Sequence, residues 1–274
     1  ADAYALLNLY DIQPPSDAYP KAREYALRAL SIDDGLAEAH ATLAYVKFNH
    51  ERDRQGAELE FRRAIQLNPS YAQAHHWFAL ALAAMNKTVE ALSEAQLAQR
   101  LDPRSASIKS ATGIVYFMAG RFPEALAECD KTTEIDPSFI PAIKVRRWIL
   151  SALGDAAQAR AAFNQEITLS GGSSDDPGWK IIELQLPGSE NEPAAKLAEL
   201  DSVVSSGTVR KNEYAFAFEA ALAFNALGDK EKALNWLERA EAAGSHSFNF
   251  IAVDPRLMNL HSEPRFQKLL SKLF

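Results

Sequence analysis

Apolar positions recur along this chain in a helical rhythm that breaks at regular places. An amphipathic stretch, ELEFRRAIQLNPSYAQAH over residues 58–75, ends at Leu67-Asn68-Pro69 and restarts at once with alanines and aromatics. The same phrase returns as ALSEAQLAQRLDPRSASI from Ala91 and as ALAECDKTTEIDPSFIPA from Ala125. Pro69, Pro103 and Pro137 stand at equal intervals, and Gly171 holds the next place in that series. Ala57, Ala91, Ala125 and Ala159 keep the same step. Phe61 and Phe163 share one register position, which Ala95 and Cys129 occupy in the two repeats between. Gly113 and Tyr116 fall at the eighth and eleventh places of their unit. Four consecutive units in register predict a repeat architecture before they predict any chemistry.

On these residues the sequence resembles the tetratricopeptide repeat, whose unit is a helix–turn–helix of about 34 residues. AEAHATLAYVKFNHERDRQGAELEFRRAIQLNP carries Tyr45, Phe48, Ala57, Phe61, Ala64 and Pro69 on the signature places. The resemblance implies an all-α, right-handed superhelix of about seven hairpins. Its units run over residues 3–37, 38–71, 72–105, 106–139, 140–173, a degenerate 174–213, and 214–245. The first has a lengthened middle turn at Pro14-Pro15-Ser16. The degenerate unit has an insertion around Leu186-Pro187-Gly188-Ser189, and Pro193 stands where its second helix should begin. In the unit 214–245, Ala233, Leu237 and Ala240 are in place.

Each signature place has a physical reason. Small residues at the alanine places let the two helices of a hairpin cross closely, within the usual ~8–10 Å. The Phe place fills the space between one unit and the next. The prolines end the second helix and suit the first turn of the next. Asp102 and Asp136, just before Pro103 and Pro137, are expected to cap the helix that follows. Residues 246–274 read as a turn and a capping helix. Asp254 and Ser262 are N-cap candidates, and Phe266, Leu269, Leu270 and Leu273 fall on one face. Such a cap covers the apolar end of a solenoid. This ending, with AEAHATLAYVKF and YAQAHHWFALAL, looks like the repeat regions of bacterial proteins in which such repeats follow a winged-helix transcriptional regulator, an adenylate cyclase or a protein kinase. That likeness implies a regulatory or signalling setting.

Composition narrows the choice. The chain has 274 residues, 47% hydrophobic and 24% charged, with a formal net charge of -7. That balance disfavours direct nucleic-acid binding, which needs a concentrated basic face. No apolar run approaches the ~18–20 residues of a membrane span. The opening ADAYALLNLYD has neither the basic nor the apolar region of a signal peptide. It begins inside a helical pattern without an initiator Met, as a piece of a longer protein would, and a cytoplasmic location is expected. The single cysteine, Cys129, makes neither an internal disulfide nor a cysteine zinc cluster.

No enzyme signature stands out, and no cofactor or metal is expected. His75 and His76 are adjacent and point to different faces of a helix, with no third ligand at helical spacing. Cys129 sits on a large-residue packing place. SGGSSDDPG, residues 170–178, lacks the Gly-Lys-Ser/Thr ending of a phosphate loop and reads as a turn. Arg62-Arg63 and Arg146-Arg147 read as solvated pairs, and Asp175-Asp176 as a capping turn.

The resemblance places the first helix of each unit on a concave groove, with its second, fifth, ninth and twelfth places inward. Here those are Thr42, Val46 and Asn49, then Gln73, His76 and Leu80, then Ser110, Ile114 and Phe117, then Lys144, Trp148 and Ser151. Repeats that clamp a chaperone's terminal carboxylate carry Lys at the fifth place and Asn at the ninth. Thr42 and Val46, His76 and Leu80, and Ser110 and Ile114 depart from that pattern. The expected function is a protein–protein interaction module that takes a peptide or protein with apolar anchors. Phe117 and Trp148 would be the hot spots, removable without loss of thermal stability. Two alternatives are a small-ligand sensory domain and a self-associating scaffold, with a homodimer as one form of the latter.

Overall fold

The computed structural model describes residues 1, 3–5, 13–188, 193–211 and 213–273, which are helical with no strand among them. The helices are α1 (Pro15–Ile32), α2 (Ala37–Val46), α3 (Arg54–Leu67), α4 (Ala72–Ala84), α5 (Thr88–Leu101), α6 (Ala106–Met118), α7 (Phe122–Ile135) and α8 (Ile140–Ala152). They continue as α9 (Ala156–Ser170), α10 (Pro177–Leu184), α11 (Pro193–Val204), α12 (Gly207–Lys211), α13 (Glu213–Ala226), α14 (Lys230–Ala242) and α15 (Pro264–Leu270). A π turn, Lys47–Glu51, prolongs α2, and two 3-10 turns, His246–Phe250 and Pro255–Leu260, precede α15. None of the helices described is long and apolar enough to cross a membrane.

Hairpins α2/α3, α4/α5, α6/α7, α8/α9 and α13/α14 are tightly paired, and each leans on its neighbour. The alanines that set the period lie at these crossings: Ala57, Ala91, Ala125 and Ala159 are fully buried. Gly113 of α6 sits where an added Cβ would lie 3.5 Å from the Ala125 carbonyl oxygen and 3.8 Å from Cys129 Sγ. A methyl fits there; a longer side chain would push α6 from α7. The Phe place fills the gap between units. Phe61 stacks on Phe78 of α4, with ring centroids 5.3 Å apart, and Phe163 meets the Trp179 edge of α10 at 6.1 Å.

Each inner helix must reverse into its outer partner, and the reversal uses one left-handed residue. Arg52, Asn86, Gly120, Gly154 and Gly188 have φ of 57°, 59°, 69°, 74° and 72°, and all five are spaced by the same step as the alanines. Glycine and asparagine adopt this conformation at little cost, whereas an arginine there is strained by roughly 1–2 kcal/mol. The series also locates the insertion in the degenerate unit. Register holds through Gly188. The next place in the series falls on Leu222, but the left-handed residue is Gly228, so the extra residues lie after Gly188. Both helices of that unit form, as α10 and α11, with α11 starting at Pro193. Ser189–Glu192 lie outside the described residues.

Several local expectations are corrected. Asp102 and Asp136 cap no following helix. They receive the backbone N–H of Arg104 and Ser138 and so hold the inter-unit turn, while α6 is capped by Ser105. Pro69, Pro103 and Pro137 belong to that turn, ahead of the next helix rather than in its first turn. Pro15 and Ser16 form the first turn of α1 rather than a loop, and Pro20 continues the helix. Residues 6–12, expected in the first inner helix, lie outside the described residues. At the other end Asp254 accepts from the Arg256 N–H as foreseen, but α15 starts after Glu263, with no side-chain cap from Ser262. Phe266, Leu269 and Leu273 are buried in the apolar cluster that also holds Leu234, Leu237 and Phe248.

Candidate functional site

The inner helices α2, α4, α6 and α8 contact one another in sequence, and α10 contacts α13. They build a continuous inner wall, but that wall is not an open groove. The 3-10 turn His246–Phe250 touches α4 and the π turn, and Pro255–Leu260 touches α13. The chain's own segment 245–261 therefore runs across the face where a groove was expected.

Two of its attachments are to backbone carbonyls, through Arg54 and Asn225. Just ahead of the segment, Arg52 holds the end of α14, donating from Nη1 to Glu241 Oε1 (2.6 Å) and from Nη2 to the Glu241 carbonyl (2.9 Å). Arg54 reaches the Asn249 carbonyl at 3.1 Å and the Ala84 carbonyl at 3.0 Å. Asn225 of α13 donates to the Arg256 carbonyl (2.7 Å) and exchanges two amide bonds with Asn259, both 2.9 Å. His246 and Phe250 close a cavity of 40 Å³ with Asn49, Trp77 and Leu80. Further along, the Arg256 guanidinium lies 4.6 Å from the Trp148 ring centroid and 5.6 Å from that of Phe117. It is paired with Asp254 through Nη2 (2.6 Å) and Nε (2.9 Å).

The twelve expected groove residues separate accordingly. Thr42, Val46, His76, Ser110 and Phe117 are buried, Phe117 fully, and this corrects their placement on an open face. Neighbouring inner helices approach closely enough to enclose them: Val46 belongs to the core around α2 and α4, and Phe117 to the core around α6 and α8. Asn49, Gln73, Leu80, Ile114, Lys144, Trp148 and Ser151 are half-buried. Four participants escaped the sequence reading: Arg52, Arg54, Glu219 and Arg256. Arg52 was findable, because it stands where the same register place holds asparagine and glycine in later units.

Charge is balanced behind the segment. Burial opposes ionisation of Glu219, yet Lys144, Arg147 and Arg256, with a hydrogen bond from Gln185 (3.0 Å), hold its carboxyl below the usual range. His246 is pushed down to about 4 by burial and by Lys144, against the pull of Glu219. His76 is pushed down to about 4 by burial alone, and Gln73 Nε2 donates to its Nδ1 at 3.2 Å, as a neutral ring requires. His75 differs: burial lowers it, but Glu94 and the Pro69 carbonyl raise it further. Cys129 is buried, and burial pushes its thiol up to about 12, leaving it inert as a nucleophile.

These shifts set a pH dependence. Below about 6.5 the unfolded chain takes up a proton at His76 that the folded chain refuses until about 4. Stability therefore falls across that window, by at most about 3 kcal/mol for His76. His246 adds in the same direction. His75, with its raised pKa, gives stability that is full below about 6.5 and lost as pH rises through the folded value. Urea unfolding of the native chain and of His76→Gln at pH 7 and pH 4.5 checks this. The variant is expected to lose less stability on acidification, and equal losses would refute the buried neutral ring.

Comparison with known proteins agrees with this architecture. Residues 78–138 match the tetratricopeptide repeat family. The small glutamine-rich tetratricopeptide repeat-containing protein 2 of Mycosarcoma maydis is 30% identical over 107 residues, which cover 39% of this chain and 30% of that protein. A tetratricopeptide repeat protein from Parabacteroides merdae superposes with a TM-score of 0.58 at 14% identity, over 94% of this chain and all (100%) of its own. PilW, a type IV pilus biogenesis factor, does so with a TM-score of 0.52 at 15% identity, over 98% of this chain and 97% of its own. At such identities the likeness is one of fold, and the fold is the tetratricopeptide repeat solenoid.

Proposed function

We propose that this solenoid of tetratricopeptide repeats, a class of protein-interaction module, binds a peptide or protein segment on its concave face, and that segment 245–261 occupies the same face in the free chain. One observation carries the reading: the face already holds a stretch of irregular backbone through side chains that grip carbonyl oxygens. Arg54 and Asn225 each do so. Carbonyls are present in every peptide, so these donors suit a second segment as well as the first. The half-buried Leu80, Ile114 and Trp148 supply apolar contact beside them. The resemblance of the repeats to those of bacterial regulators, cyclases and kinases supports a regulatory or signalling setting.

Photo-crosslinking in cells of the source organism tests the face. A crosslinker in place of Leu80 or Ile114 is expected to trap partner adducts. The same group in place of Leu59 or Val89, which are 70% and 86% exposed on the outer helices α3 and α5, is expected to trap few. Adducts confined to Leu59 and Val89 would move binding to the outer surface and overturn the reading.

A further inference from the structure

We infer that Phe117 and Trp148 form a socket for a guanidinium group, filled in cis by Arg256, and that a partner on the concave face enters it with an arginine of its own. The inference rests on the concave-face reading. Two aromatic rings from neighbouring inner helices, Phe117 on α6 and Trp148 on α8, flank the Arg256 guanidinium. A planar, delocalised cation stacks on such rings better than an ammonium does. Burial opposes the charge of Arg256, and Asp254 and then Glu219 of α13 sustain it.

The manner in which Arg256 is held favours exchange. Its bonded carboxylate, Asp254, lies two residues away on the same segment rather than on the solenoid. The segment therefore leaves with its ion pair intact and strands no bonded counter-charge in the wall. The cis occupant also uses the socket incompletely. Among the described residues, buried Nη1 of Arg256 and the Trp148 indole N–H have no hydrogen-bond partner. A segment that brings an acceptor to the indole N–H would bind better than the chain's own. The apolar side of the cis segment, Phe248, Ile251, Leu257 and Leu260, packs into the core built by α10–α15, so release of Arg256 moves that core away from α6 and α8 with it.

The test uses full-length Arg256→Ala. Its melting temperature is expected to fall and to recover in millimolar ethylguanidinium, while butylammonium at equal concentration has little effect and neither cation shifts the wild type. A peptide of residues 252–260 is expected to bind Arg256→Ala about tenfold more tightly than the same peptide with lysine at its arginine. If Arg256→Ala does not fold, Arg256→Lys serves for both measurements. Equal response to the two cations, or equal binding of the two peptides, overturns the socket. Partner crosslinks at Leu80 and Ile114 that persist unchanged in excess ethylguanidinium would sink the socket and leave the concave-face reading standing. Their complete absence would sink that reading itself.

Discussion

Glu166→Ala is expected to destabilise the chain by about 3–5 kcal/mol, a large part of the whole stability of a domain. Arg147 Nε and Glu166 Oε2 meet at 2.8 Å between α8 and α9, and both side chains are almost fully enclosed, at 1% and 4% exposure. Removing the carboxylate leaves a guanidinium that can be neither hydrated nor deprotonated. Among the described residues Arg147 Nη2 already lacks a partner, so no spare acceptor there takes the place of the carboxylate. The field of Glu219 offsets part of the loss and places the effect toward the lower end. Arg147→Leu with Glu166→Leu removes both charges and is expected to cost far less than either single change. Urea unfolding of the four chains closes the cycle. A Glu166→Ala loss below about 1 kcal/mol would mean that water reaches the pair.

The second large effect falls on Phe117. Its ring packs against Phe122 at 5.7 Å and Trp148 at 6.1 Å, and it is fully buried. Phe117→Ala is expected to cost about 3–5 kcal/mol through lost burial and the cavity left behind. Trp148→Ala adds a smaller loss, because that ring is half-buried, and the two do not sum, because they touch. This reverses the expectation that both can be removed without thermal loss. Calorimetry decides it: a Phe117→Ala melting temperature equal to that of the wild type would put the ring back on an open face.

The repeat was legible because its cause is local. Ala57, Ala91, Ala125 and Ala159 must be small wherever two helices cross, and each recurrence repeats the same steric demand. The left-handed series at Arg52, Asn86, Gly120, Gly154 and Gly188 was equally periodic, but three residue types share it, and identity alone does not reveal a shared φ. The covered face was not legible. Arg256 meets Trp148 from several repeats away, and Arg52 meets Glu241 across most of the chain. Neither pairing leaves a trace in spacing, since the curvature of the whole stack sets it rather than any one hairpin. Signature places fix which side of an inner helix points inward, but not whether the space there is filled. Val46 and Phe117 carry the right register and still end in the core.

Arg52 carries a tension between backbone and side chain. Its φ of 57° is one that glycine adopts freely, while its guanidinium holds Glu241 at the far end of the chain. Mutation to glycine would relieve the backbone and remove the tether together, and the two energies oppose each other. Loss of this fastening can therefore pass almost unseen in a melting curve while changing how often the two ends of the solenoid part. Stability screens would be blind to such a variant, and a measurement of end-to-end distance would not.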